Sequence, residues 1–111
     1  MYGLKQRDIE ALKKHLVNIA GIEKAWLFGS RAMGNYKQGS DIDIAIAGQE
    51  INRSDILQAI DAINEEEPIP FFTEIIDFNT IDNPKLKEHI LQQGQLLLDI
   101  KREKNEHTQL K

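Results

Sequence analysis

Apolar residues recur with two different periods along the chain, and the change of period separates helices from strands. Residues 8–20 have helical spacing and predict an amphipathic helix that ends at Gly21, with apolar positions at Ile9, Leu12, Leu16 and Ile19. Residues 24–28 predict a short buried strand, whereas residues 31–39 are polar and predict a helical turn followed by a loop. Residues 41–47 alternate, which is typical of a strand with one buried face.

The second half of the chain contains another helix, a strand and a final helix. The pattern predicts a helix over residues 54–64 that Ser54 or Asn52 caps, with fraying in the acidic run at residues 65–67. Residues 68–70, Pro-Ile-Pro, force an extended connector, and residues 71–78 predict a strand. Asn83-Pro84 begins a helix that ends near Gly94. Residues 95–100 either add a short strand or continue that helix.

This order of elements, within 111 residues, predicts a single small domain. We expect a mixed α/β (α+β) fold, in which helices pack on one face of a small mixed sheet. The domain should span residues 1–100, and the polar residues 101–111 should form a C-terminal tail.

The composition limits the cellular location and the classes of binding partner that we expect. The formal net charge is −4, which argues against a broad surface for direct nucleic-acid binding. No apolar run is long enough to cross a bilayer, and the N-terminus lacks the apolar stretch of a signal peptide. The chain has no cysteine, which excludes disulfides and thiolate metal sites. Together these features predict a cytoplasmic protein without a membrane partner.

Two aspartates on one strand are the first candidate for chemistry. Asp41 and Asp43 are two positions apart, so both carboxylates leave the same face of the predicted strand. Such a pair suits Mg²⁺ or Mn²⁺ rather than zinc, while a solvated edge strand is the alternative interpretation. Ala45 and Ala47 follow on that face, and their small side chains should leave room for a ligand.

A glycine and a serine stand at the end of the preceding strand. Gly29 lets a phosphate approach the main chain, and the Ser30 hydroxyl and the following N–H groups can donate to it. Arg31 adds a candidate phosphate partner. A turn of this kind is common, but here the carboxylate pair follows at once. A metal ion on such a pair can align an attacking oxygen with a departing pyrophosphate.

The stretch Gly-Ser-Arg-Ala-Met-Gly at residues 29–34, with Ser-Asp-Ile-Asp at residues 40–43, resembles the defining motif of the DNA polymerase β-like nucleotidyltransferases. The short length resembles their minimal nucleotidyltransferase (MNT) subfamily, and the resemblance covers about residues 22–100. It implies that the nucleotide, with ATP as substrate, is held by Gly29, Ser30, Arg31 and Ser40. Met33 stands where many members of the family carry a second basic residue.

The resemblance also implies metal-binding carboxylates at Asp41 and Asp43 and a third carboxylate on a later strand. Glu74 falls at that third position, where the family usually has the shorter aspartate. Its side chain would bind metal and help to activate the acceptor hydroxyl. Asp77 is the rival, although alternation places it on the opposite face from Glu74.

These features favour an enzyme that transfers a nucleoside monophosphate, AMP from ATP, to a hydroxyl. The resemblance further implies an antitoxin whose acceptor is a tyrosine of a small all-helical HEPN toxin. The main alternative is a nucleotide-binding module with weak catalysis that acts by binding its partner, motivated by Glu74. Transfer to a small molecule ranks lower. His15 and His89 are interpreted as residues on helix faces, and Trp26 as a core residue.

Overall fold

The computed structural model describes residues 2–100. Their elements, in chain order, are α1 (Gln6–Leu16), β1 (Ile22–Phe28), α2 (Ser30–Met33), β2 (Ile42–Gly48), α3 (Arg53–Glu66), β3 (Thr73–Asp77), α4 (Pro84–Gln93) and β4 (Gln95–Asp99). A 3-10 turn, Phe78–Thr80, follows β3. Within the described residues no helix is both long and apolar enough to span a membrane. The predicted tail at residues 101–111 lies outside them.

The four strands form one mixed sheet in the order β3-β2-β1-β4. Strand β1 runs antiparallel to both of its neighbours, whereas β2 and β3 run parallel. The prediction of a mixed sheet is confirmed, and of the two alternatives for residues 95–100 the strand is correct. Because of these directions, the end of β1 and the beginnings of β2 and β3 meet at one end of the sheet. We call it the motif end.

Helices α1 and α3 cover one face of the sheet and create the main core. Alternate residues of the central strands, such as Leu27 and Ile44, are fully buried there, together with Leu12, Leu16 and Ile63 from the two helices. The apolar positions of the helical pattern and those of the alternating pattern therefore pack against each other in one core.

Helix α4 lies against the opposite face, which the sequence pattern did not predict. Its residue Ile90 is fully buried, and His89 contacts Phe28, whose side chain leaves β1 on the side opposite Leu27. The expectation of helices on one face thus holds for α1 and α3 but not for α4. Helix α4 buries its apolar side against β1, the strand beside β4.

The C-terminal end of helix α3 is held by contacts with the edge strand β3 and with helix α1. Strand β3 is an edge strand, and the Asn64 side chain accepts from the Thr73 N–H at 2.8 Å and donates to the Thr73 carbonyl at 3.0 Å. The helix extends to Glu66, and the His15 ring hydrogen-bonds to the Glu67 carboxylate at 2.9 Å. These contacts hold the acidic end where the sequence predicted fraying.

Candidate active site

Three carboxylates meet at the motif end of the sheet. Asp43 is paired across the sheet with Glu74 in β3, and on its other side with Phe28 in β1. Neighbouring strands lie about 4.8 Å apart, so paired residues project side by side on the same face. Asp41 lies one residue before β2 and is exposed, as is Glu74. The strand register therefore brings the three predicted metal ligands together.

Asp43 lies deepest in this cluster and has a perturbed carboxyl group. Burial raises the pKa of its carboxyl group, and the negative charges of Asp41 and Glu74 raise it further. Within residues 2–100 no basic side chain forms an ion pair with Asp43, and a divalent metal would supply the compensating charge. Oxygen donors of this kind fit Mg²⁺ or Mn²⁺. Within residues 2–100, no three histidine, aspartate or glutamate side chains are arranged so that they could hold a metal ion.

Gly29 connects β1 to α2 and touches the carboxylate cluster. Its φ of 76° and ψ of −155° lie in a region that side-chain-bearing residues rarely adopt. A Cβ atom built on it would lie 2.7 Å from Oδ2 of Asp43. Glycine is therefore required both by the main-chain conformation and by the close carboxylate. Ser30 then begins α2 directly after Gly29, and a contact of its hydroxyl with phosphate stays a prediction.

Arg31 is almost completely buried, with 2% of its surface exposed. Its Nε and Nη2 atoms donate to the Ser40 carbonyl at 3.1 and 2.7 Å, and Nη1 donates to the Tyr2 carbonyl at 3.0 Å. The guanidinium also lies 4.1 Å from the ring centre of Phe71 and 5.1 Å from that of Tyr36. The Arg31 guanidinium, which the sequence predicted to bind phosphate, therefore stabilises the loop between the two halves of the motif.

Ser40 closes that loop. Its hydroxyl accepts a hydrogen bond from the Lys37 N–H at 2.9 Å, and its own N–H donates to the Lys37 carbonyl at 3.0 Å. The turn delivers the chain into Asp41 and β2. Direct nucleotide contacts by Ser40, or by the main chain of Arg31, remain predictions.

The space expected above Ala45 of β2 is filled, whereas Ala47 is only partly buried. Ala45 is fully buried, and its partners across the sheet are Trp26 and Ile76. The Trp26 ring also contacts the Phe78 ring, with centroids 5.5 Å apart. Trp26 therefore packs on the carboxylate face rather than in the main core.

Asp77 lies apart from the carboxylate cluster. It is paired with the core residue Ile46, on the opposite face from Glu74, and its side chain accepts from the Asn79 N–H at 3.0 Å. The alternation argument for Glu74 over Asp77 therefore agrees with the observed register.

His89 is a residue at the site that the sequence analysis did not assign to it. The Gly29 N–H donates to its Nε2 atom at 3.2 Å, and its ring packs edge-on against Phe28 with centroids 6.2 Å apart. Sixty positions separate His89 from Gly29. No spacing rule could have linked the two, because the contact depends on α4 crossing the second face of the sheet.

The family model described as "Polymerase beta, Nucleotidyltransferase" matches residues 10–103. The chain therefore belongs to this nucleotidyltransferase family, as the motif at residues 29–43 indicated. No curated protein matches the sequence significantly.

Solved structures of similar fold include components of toxin–antitoxin complexes. A toxin–antitoxin with AMP-PNP has 22% identity and a TM-score of 0.68, covering 86% of this chain and 74% of that one. The MntA–HepT toxin–antitoxin has 19% identity and a TM-score of 0.66, covering 89% and 76%. A tri-AMPylated HEPN toxin in complex with its MNT antitoxin, from Shewanella oneidensis, has 17% identity and a TM-score of 0.66, covering 92% and 78%. At these identities the likeness establishes the fold.

Proposed function

We propose that this chain transfers AMP from ATP to a hydroxyl group of a partner protein, as an antitoxin of the MNT type. The observation that carries the proposal is the convergence of Asp41, Asp43 and Glu74 beside Gly29 and Ser30 at the motif end. A phosphate-binding turn and a cluster of carboxylates in contact are the two parts that nucleotidyl transfer requires.

Different residues of the chain bind the triphosphate and the metal ion. The Ser30 hydroxyl and nearby main-chain N–H groups bind the triphosphate, and Asp41, Asp43 and Glu74 hold Mg²⁺ or Mn²⁺. When bound by these carboxylates, the metal would neutralise phosphate charge. The acceptor oxygen forms a bond to the α-phosphorus as the bond to the bridging oxygen breaks. Pyrophosphate leaves, and the hydroxyl proton passes to a carboxylate of the cluster.

The partner proposed is a small all-helical HEPN toxin, and the acceptor is one of its tyrosines. A tri-AMPylated HEPN toxin in complex with an MNT antitoxin of similar fold supports this choice of partner. Glu74 is exposed on β3, an edge strand of the sheet. This exposure gives a partner's side chain access to Glu74 from that edge. The reaction belongs in the cytoplasm, where ATP is available.

Transfer of labelled ATP tests this function. The chain is incubated with Mg²⁺ and ATP labelled at the α-phosphate or at the γ-phosphate, alone and with the product of its neighbouring gene. We expect label on the partner from α-labelled ATP only, because the γ-phosphate departs in pyrophosphate. Mass spectrometry should locate the adduct on a tyrosine. Asp41→Asn and Asp43→Asn should abolish labelling, whereas Asp77→Asn, on the opposite face, should preserve it.

The alternative is a binding module that grips its partner and catalyses little. The glutamate at position 74, longer than the family's aspartate, favours it. Metal-dependent ATP binding without labelling of the partner would support this alternative and contradict the transferase proposal.

A further inference from the structure

His89 holds the peptide group that connects β1 to the phosphate-binding turn. The Gly29 N–H donates to its Nε2 atom at 3.2 Å, which requires a ring whose proton is on Nδ1. The Phe28 ring meets the imidazole at an interplanar angle of 77°, an edge-to-face arrangement. A hydrogen bond and a ring contact thus fix the imidazole against consecutive residues, Phe28 and Gly29.

The position of His89 is set by the way α4 packs on β1. Ile90, the next residue, is fully buried. The helix ends at Gly94, whose N–H donates to the Ile90 carbonyl at 2.9 Å. A side chain on Gly94 would collide with that carbonyl oxygen and would stand 3.4 Å from Cβ of Trp26. The burial of Ile90 and the close approach of Gly94 to Trp26 of β1 therefore hold the last turn of α4, and with it His89, against the sheet.

Gly29 is constrained from its other side by the carboxylate cluster. The position that a Cβ would take lies 2.7 Å from Oδ2 of Asp43. The residue is thus fixed between a histidine that accepts from its N–H and a carboxylate that occupies its side-chain space. A rotation of the peptide between Phe28 and Gly29 would move Ser30 relative to Asp43.

We infer that His89 is a positioning residue for the nucleotide. By accepting from the Gly29 N–H it orients the turn so that the Ser30 hydroxyl and the N–H groups after Gly29 face a triphosphate beside Asp43. The inference rests on the proposed function. It also assigns the phosphate contacts to the groups after Gly29, because the Gly29 N–H is already used.

Two substitutions separate hydrogen bonding from packing. His89→Gln places a side-chain oxygen at a similar reach, whereas His89→Leu keeps an apolar contact with Phe28 but removes the acceptor. With leucine we expect the KM for ATP to rise about tenfold and kcat to change by less than about threefold. Glutamine should keep both constants within about threefold of wild type. Equal effects of the two substitutions, or an unchanged KM with leucine, would overturn the inference.

His15→Leu is the matched control, since it removes another helix histidine with a hydrogen-bond partner, Glu67, on the α1–α3 side of the sheet. It should lower the melting temperature and leave the KM for ATP unchanged. A rise in KM equal to that of His89→Leu would mean that reduced stability, and not the lost acceptor, causes the effect.

Hydrogen exchange of the Gly29 amide, followed by NMR, tests the contact without nucleotide. We expect His89→Leu to accelerate exchange about tenfold and His89→Gln to retain most of the protection. Unchanged exchange in the leucine variant would overturn the inference even if ATP binds. If wild type fails to bind ATP, the proposed function and its nucleotide-positioning part fall together, and exchange decides whether His89 holds the peptide.

Discussion

At the scale of single residues, the ionised form of Asp43 opposes folding, yet it is the form that we propose binds metal. It is partly buried, and its pKa is raised first by that burial and then by the charges of Asp41 and Glu74. A folded-state pKa above the unfolded one means that ionisation of Asp43 opposes folding. This cost is absent at acidic pH, where both states are protonated, and grows as pH rises through the folded pKa.

We therefore expect Asp43→Asn to raise the melting temperature of the metal-free protein at neutral pH while reducing nucleotidyl transfer by about a hundredfold or more. Thermal unfolding from pH 3 to pH 8, in the presence of a chelator, measures the first effect. The difference between variant and wild type should shrink as pH falls towards the ordinary aspartate pKa of 3.8. A variant less stable than wild type at pH 7 would contradict this account.

Glu74 allows a second test at this scale, because its extra methylene separates the two functional hypotheses. If the site is built for glutamate, Glu74→Asp withdraws the carboxylate by more than an ångström and lowers kcat on the order of a hundredfold. If the site is a weak remnant, aspartate should increase transfer instead. Rates of partner labelling, with Glu74→Gln as the variant lacking charge, decide between these outcomes.

Residue chemistry was only partly predictable from the sequence. The spacing of Asp41 and Asp43, and the strand alternation that favours Glu74 over Asp77, are local properties, and the observed register agrees with them. The burial of Arg31 was not predictable. Its partners, the carbonyls of Tyr2 and Ser40, meet only after the loop has folded over it.

At the scale of elements, the periodic patterns located the helices and strands to within a few residues. They did not locate α4 on the second face of the sheet, because its amphipathic pattern specifies that one side is buried but not against which surface. The contact between His89 and Gly29 and the burial of Ala45 both follow from contacts on that second face.

The contact between α3 and the edge strand β3 gives a prediction at this scale. Asn64 satisfies the N–H and carbonyl of Thr73, a residue with no exposed surface. Asn64→Ala leaves both groups unpaired and should lower the free energy of unfolding by about 1–3 kcal/mol. Denaturant unfolding measures the loss. Gln58→Ala, an exposed change on the same helix, should stay within about 0.5 kcal/mol of wild type. Equal stability of the two variants would show that Asn64 does not hold the edge.

At the scale of the whole molecule, the strand directions create the site. Because β1 is antiparallel to β2 and β2 is parallel to β3, three strand ends meet and bring together residues from positions 29 to 74. The family motif at residues 29–43 predicted two of these ends, and the third carboxylate required the resemblance. Family membership over residues 10–103 agrees with that assembly.

The most direct test of the central claim is calorimetric titration of ATP in the presence and absence of Mg²⁺. We predict that wild type binds ATP with metal and that the affinity falls at least about tenfold without it. Asp43→Asn should lose the metal-dependent gain, and Asp77→Asn, whose side chain lies on the opposite face and can still cap the 3-10 turn, should keep it. ATP affinity that ignores Mg²⁺, or that survives Asp43→Asn unchanged, would contradict the assignment of these carboxylates as the metal–nucleotide site.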